Sequence, residues 1–93
     1  MAKLNSLLHQ ELRLSIVSFL AGVEKADFNK LLEVTKASKG NLSVQLSKLR
    51  DTGYIEIHKS FKNNYPLTEC NLTEEGKSVL EVYVNELKKL LNL

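Results

Sequence analysis

The stretch "GNLSVQLSKLRDTGYIEI", residues 40–57, constrains this chain more than any other. Leu42, Leu46 and Leu49 recur at i, i+4 and i+7, the spacing of one narrow apolar stripe along a helix. Ser38 stands where an N-cap belongs, and Gly53 stands where the helix ends. The period then changes. In "YIEIH", Ile55 and Ile57 point one way and Glu56 and His58 the other, as a half-buried strand requires. At about 100° per residue, the side of the helix away from the stripe carries Asn41, Val44, Ser47, Lys48 and Asp51, with Ser43 and Gln45 flanking the stripe.

The segments on either side complete a pattern. Residues 5–20 place Leu7, Leu8, Leu12, Ile16, Phe19 and Leu20 at helical spacing, and Gly22 sits where a helix C-terminus favours a left-handed residue. Asp27 is suited to cap a short helix carrying Phe28, Leu31, Leu32 and Val34. "FKNNYP" is turn chemistry, and "LTECNL" after it reads as a second strand with Thr68, Cys70 and Leu72 on one face. Thr73 caps a last helix, with Glu74 and Glu75 at its positive end and Lys88 and Lys89 near its negative end. The expected fold is mainly α with a small antiparallel hairpin. Its order is helix, helix, helix, strand, strand, helix, with room for a short extra strand before the second helix.

The last helix has an apolar belt wider than packing on one small core needs, running from Val79 and Leu80 through Tyr83 to Leu93. It is expected to dimerise, with Tyr83, Leu87, Leu90 and Leu91 at the interface and the N-terminal Leu4, Leu7 and Leu8 as its partners. At 93 residues the chain is expected to form one domain, 1–93, with 73–93 as the dimerisation helix.

Net charge is a modest +2, and its distribution is more informative. Residues 36–65 hold six basic groups (Lys36, Lys39, Lys48, Arg50, Lys59, Lys62) against two acids, Asp51 and Glu56, a local excess of four positive charges. The rest of the chain holds seven basic and nine acidic groups, a local deficit of two. A basic centre between acidic flanks suits a surface that meets a polyanion. No apolar run approaches the roughly 20 residues of a membrane span, and "MAKLNSLLHQELRLS" does not read as a signal peptide. A cytoplasmic protein is expected.

Three helices followed by a hairpin is the order of a winged helix-turn-helix domain. From "HQELRLSIVSFL" through "GNLSVQLSKLRDTGYIEI" to the "LTEEG" restart, the sequence resembles the small winged-helix regulators related to the MarR and ArsR groups. These are little more than one winged helix and a dimerisation helix. The wing departs from the family pattern: where relatives often carry arginine around the proline, this chain reads "KNNYPLT".

The resemblance implies a homodimeric transcriptional regulator that binds a roughly palindromic duplex DNA site. The third helix fits that role, because small or polar outward groups are what a major groove about 12 Å wide admits. Asn41, Ser43, Val44, Gln45 and Lys48 are the expected base-facing residues: amides for adenine, lysine for guanine or phosphate, valine for a thymine methyl, with Gln45, close to the buried stripe, also placed to hydrogen-bond the preceding helix instead of a base. Ser38, Lys39 and the first helical amides are placed for a phosphate, as are Lys62, Asn63 and Asn64 at the hairpin tip. A second reading is a winged helix used as a protein-interaction module, docking through the last or the third helix.

Other chemistries find little support. The single cysteine, Cys70, lies on an inward strand face without a second thiol to resolve an oxidised form, so it is expected to be structural. His9 and His58 fall on different elements, with no cysteine pair to complete a metal site. No nucleophile, base and orienting group stand at matched spacing, and no glycine-rich phosphate loop is present, so neither an enzyme nor a cofactor is expected.

Overall fold

Side-chain caps decide where the helices begin. Asp27 Oδ1 accepts from the Lys30 amide at 2.7 Å, Ser38 Oγ from the Asn41 amide at 3.1 Å, and Thr73 Oγ1 from the Gly76 amide at 3.0 Å. Each satisfies an amide that has no partner within its helix. In the computed structural model, which describes residues 3–93, the elements run α1 (Glu11–Ala21), β1 (Ala26–Asp27), α2 (Phe28–Thr35), α3 (Lys39–Asp51), β2 (Ile55–Lys62), β3 (Tyr65–Leu72) and α4 (Glu74–Leu91). This is the winged-helix order, and the short strand before the second helix is present.

The first helix departs from expectation. It starts at Glu11, not near residue 5, and Gln10 is its cap, accepting from the Arg13 amide at 2.7 Å. The reason is local. Asn5 Oδ1 accepts from the amides of both Leu7 and Leu8, at 2.9 and 3.1 Å, and so offers them a turn in place of a helix. Gly22 does follow the helix, but at φ −98° it is not left-handed. The left-handed caps are Lys36 after α2 and Asn92 after α4.

The sheet is antiparallel in the order β1-β3-β2. Ile55 pairs with Leu72 and Ile57 with Cys70, which turns both pairs inward, and Ala26 pairs with Cys70 from the other side. Asn63 and Asn64, at φ 52° and 67°, form the two-residue loop between Lys62 and its partner Tyr65. That is the turn whose twist matches a hairpin, and asparagine tolerates the positive φ it demands at both positions.

The core joins Ile16, Val17 and Leu20 of α1 to Leu31 of α2, Leu42, Leu46 and Leu49 of α3, and Ile55, Cys70 and Leu72 of the hairpin. Tyr54 and Tyr83 close it. Where α4 leaves the sheet, Thr73 Oγ1 donates to the Gly53 carbonyl at 2.7 Å. Gly76 there sits so close to the hairpin base that a Cβ would overlap the Tyr54 carbonyl oxygen and lie 2.7 Å from Leu72 Cδ1. Burial of Cys70 pushes its thiol up from about 9 to about 11, so it stays protonated and unreactive at neutral pH.

Candidate nucleic-acid interface

α3 buries one side and presents the other. Leu42, Leu46 and Leu49 enter the core, while Lys39, Gly40, Asn41, Ser43, Val44 and Lys48 are exposed and Ser47 is half-buried. Val44 is 50% exposed, an apolar group on an otherwise polar face. The first turn holds no acid, and its capping serine is itself exposed, so the positive end of the helix is open to an anion.

The hairpin stands beside this face. Ser43, Ser47 and Arg50 of α3 and Lys59 and Thr68 of the strands line a shallow groove of about 150 Å³ between them. Lys39, Lys48, Lys59 and Lys62 form no ion pair among the described residues, whereas Arg50 is held by Asp51 at 3.2 Å. The positive charge of the central segment is therefore carried mainly by unpaired lysines on α3 and the hairpin. On the outer face of the hairpin, Asn71 Nδ2 donates to Glu56 Oε1 at 2.9 Å, and its Oδ1 lies 2.9 Å from His58 Nε2. That network ties the two strands together away from the groove.

At the tip, Lys62, Asn63 and Asn64 are all exposed. The two asparagines are accounted for by the backbone of the turn, so their presence is not in itself a sign of ligand chemistry. Their neighbours Phe61 and Tyr65, outside the residues that the sequence pattern singles out, are 76% and 75% exposed on opposite faces of the hairpin. An aromatic on each side of a turn, beyond the reach of the core, was the available signal.

Gln45 requires a correction. It was expected to face a base, yet it is only 8% exposed. Its Oε1 accepts from Arg13 Nη1 at 2.6 Å, and its Nε2 donates to Asn41 Oδ1 at 3.1 Å. Gln45 lies just beside the leucine stripe, and the guanidinium of α1 supplies the partner that makes its burial affordable. Arg13, half-buried on an apolar helix, carries no sign of this role in the local sequence pattern.

The expected dimer contacts divide. Leu90 and Leu91 are 51% and 56% exposed, and Leu4, Leu7 and Leu87 are half-buried. Leu8 and Tyr83 are instead core residues of their own chain, at 0% and 3% exposure. The N-terminal segment folds back onto its own chain, carrying Leu8 into the core: Asn5 Nδ2 donates to the Tyr54 hydroxyl at 3.1 Å, Arg13 Nε donates to the Leu7 carbonyl at 2.6 Å, and the Tyr83 hydroxyl bonds His9 Nδ1 at 2.9 Å. These side chains are not available to a partner. Val82, 60% exposed, is.

Among the described residues no group of three or more His, Cys, Asp or Glu side chains is placed to hold a metal, and no helix is long and apolar enough to cross a membrane.

Comparison with known proteins agrees with this geometry. Residues 12–91 match the family described as a winged helix DNA-binding domain. Over 78 residues the chain is 32% identical to an uncharacterized protein of Methanocaldococcus jannaschii, a match covering 84% of this chain and 85% of that protein. A transcriptional regulator homologue from Pyrococcus horikoshii superposes with a TM-score of 0.86 at 26% identity, covering 92% of this chain and 85% of its own. A PadR family transcription regulator from Clostridium difficile shares the fold, with a TM-score of 0.74 at 22% identity and coverages of 89% and 96%.

Proposed function

The chain belongs to the winged helix DNA-binding domain family, and from that premise we propose that it is a cytoplasmic, homodimeric regulator of the MarR and ArsR kind that binds duplex DNA with sequence preference. It is a regulator domain and not an enzyme. The observation that carries the reading is the exposed side of α3, which is small, polar and flanked by unpaired lysines, and which shares a groove with the hairpin. Side chains of this size enter a major groove, and lysines at its edges meet phosphates.

In this reading α3 lies in the major groove with Asn41, Ser43, Val44 and Lys48 toward the bases. Ser38, Lys39 and the first amides of α3 hold a phosphate, and Lys62, Asn63 and Asn64 follow the flanking backbone. Two copies meet through the exposed apolar side of α4, around Leu87, Leu90 and Leu91, with Leu4 and Leu7 at the margin. The dimer would present two α3 helices to successive turns of the duplex.

The test is titration of the purified protein into a random-sequence duplex pool at two salt concentrations, with the bound fraction sequenced. A two-fold motif with half-sites about one helical turn apart, weakening as salt rises, is expected. Negligible binding at low salt would overturn the reading and leave a protein-interaction module, whose partner binding would be insensitive to salt.

A further inference from the structure

Three side chains in line connect the backbone of the N-terminal segment to the exposed face of α3. Arg13 Nε donates to the Leu7 carbonyl and Nη1 to Gln45 Oε1, both at 2.6 Å, and Gln45 Nε2 donates to Asn41 Oδ1 at 3.1 Å. The direction of this chain is forced. A guanidinium has donors and no acceptor, so the oxygen of Gln45 must face Arg13. Its nitrogen then faces Asn41, and because that nitrogen can only donate, Asn41 must turn its oxygen inward. The Asn41 amide nitrogen, with two N–H groups, is left at the surface.

Gln45 cannot reverse this by rotating, since it is 8% exposed and its oxygen is held by an arginine that is itself anchored to backbone. Asn41 stands in the first turn of α3, the part of a recognition helix that meets base edges. In the major groove guanine offers two acceptors, O6 and N7, whereas adenine pairs bidentately with an amide only if the amide oxygen accepts from its N6.

Resting on the assignment of α3 as the recognition helix, we propose that Arg13 and Gln45 set the hydrogen-bonding polarity of Asn41, so that Asn41 acts as a donor and selects guanine. Arg13 and Gln45 are positioning residues that never touch DNA. They convert the asparagine, which alone could read either purine, into a reader of one.

The experiment is duplex-pool selection with the full chain and three variants. Asn41→Ala identifies the base pair that depends on residue 41, and the wild type is expected to hold guanine there. Gln45→Glu puts an acceptor-only carboxylate between Arg13 and Asn41. Asn41 must then turn its nitrogen inward and its oxygen outward. Preference at that base pair is expected to move by roughly tenfold toward a base that donates, adenine or cytosine. Gln45→Met removes the relay without adding charge and is expected to let guanine and adenine compete within a few-fold. It decides the matter alone if thermal melting shows that Gln45→Glu does not fold.

A wild type that prefers adenine at that base pair, or Gln45 variants that keep its preference unchanged, would overturn the relay while leaving the recognition helix standing. A wild type that selects no motif, or a motif indifferent to Asn41→Ala, would overturn the recognition-helix assignment and the relay with it.

Discussion

α3 and α4 are built from the same parts and left with opposite surfaces. Each begins at a hydroxyl cap, Ser38 or Thr73, and each sends part of one face into the common core. Beyond that face, α3 exposes mostly lysines and small polar groups with one valine, whereas α4 exposes Val82, Val84, Leu90 and Leu91 among its charged residues. Apolar side chains left in water cost free energy until something apolar covers them, whereas exposed cations are well solvated and gain when a polyanion arrives. On the function proposed above, the contrast would give the two helices different partners, DNA for α3 and a second copy for α4.

The largest effect that would sharpen this contrast lies where α4 begins. Gly76→Ala drives a methyl into the Tyr54 carbonyl and Leu72, and neither can withdraw without moving the hairpin. A loss of about 3 kcal/mol is expected, measured by urea unfolding, whereas Gly40→Ala in the first turn of α3, where a Cβ meets open space, should lose nothing. Equal losses at the two glycines would break the distinction between a packed start and an open one.

Next in size is the α4 surface. Leu90→Glu together with Leu91→Glu should shift sedimentation from dimer to monomer at micromolar concentration while leaving the melting of each chain's core nearly intact. Retention of the dimer would remove α4 from the interface.

The buried thiol supplies a control common to both helices. Because the folded pKa of Cys70 is raised to about 11, the folded chain holds its proton while the unfolded chain releases it above about 9. Stability is therefore unaffected below pH 9 and falls as pH rises from 9 through 11, by at most about 3 kcal/mol. Cys70→Val should flatten that slope. A slope that survives the substitution would have to arise from other groups.

The smallest effects concern α3 itself. Lys39→Ala should weaken cognate and scrambled duplexes alike, by about 1 kcal/mol, and lower the salt slope by about one unit. Asn41→Ala should also relax sequence preference. Equal losses on both duplexes for both variants would end the division between phosphate and base contacts.

Much of the fold was legible in the residues. Asp27, Ser38 and Thr73 announced three helix starts because a short polar side chain before an apolar period has few better places to be. The alternation of Ile55 and Ile57, answered by Cys70 and Leu72, announced the hairpin and its inward face. Its register was not legible, because Phe61, Lys62, Tyr65 and Pro66 of "FKNNYP" belong to the strands and only Asn63 and Asn64 form the turn. The first turn of α1 was misjudged because Leu7 and Leu8 keep helical spacing while Asn5, two and three positions earlier, takes their amides by its own side chain.

The exposed side of α3 followed from periodicity, since residues between the leucines have nowhere to point but outward. Gln45 is the exception, and its burial depends on an arginine 32 positions away in sequence. Leu8 and Tyr83 likewise read as dimer contacts until the N-terminal segment is seen folded back, with Leu8 buried in the core and His9 bonded to Tyr83. Local patterns of polarity and capping are fixed by neighbours along the chain, so the sequence alone determined the elements, their order and the polar face of α3. Which polar group finds a buried partner, and which apolar group is covered, depends on contacts between distant segments. Only the tertiary structure decided those, including the direction in which Arg13 and Gln45 point the amide of Asn41.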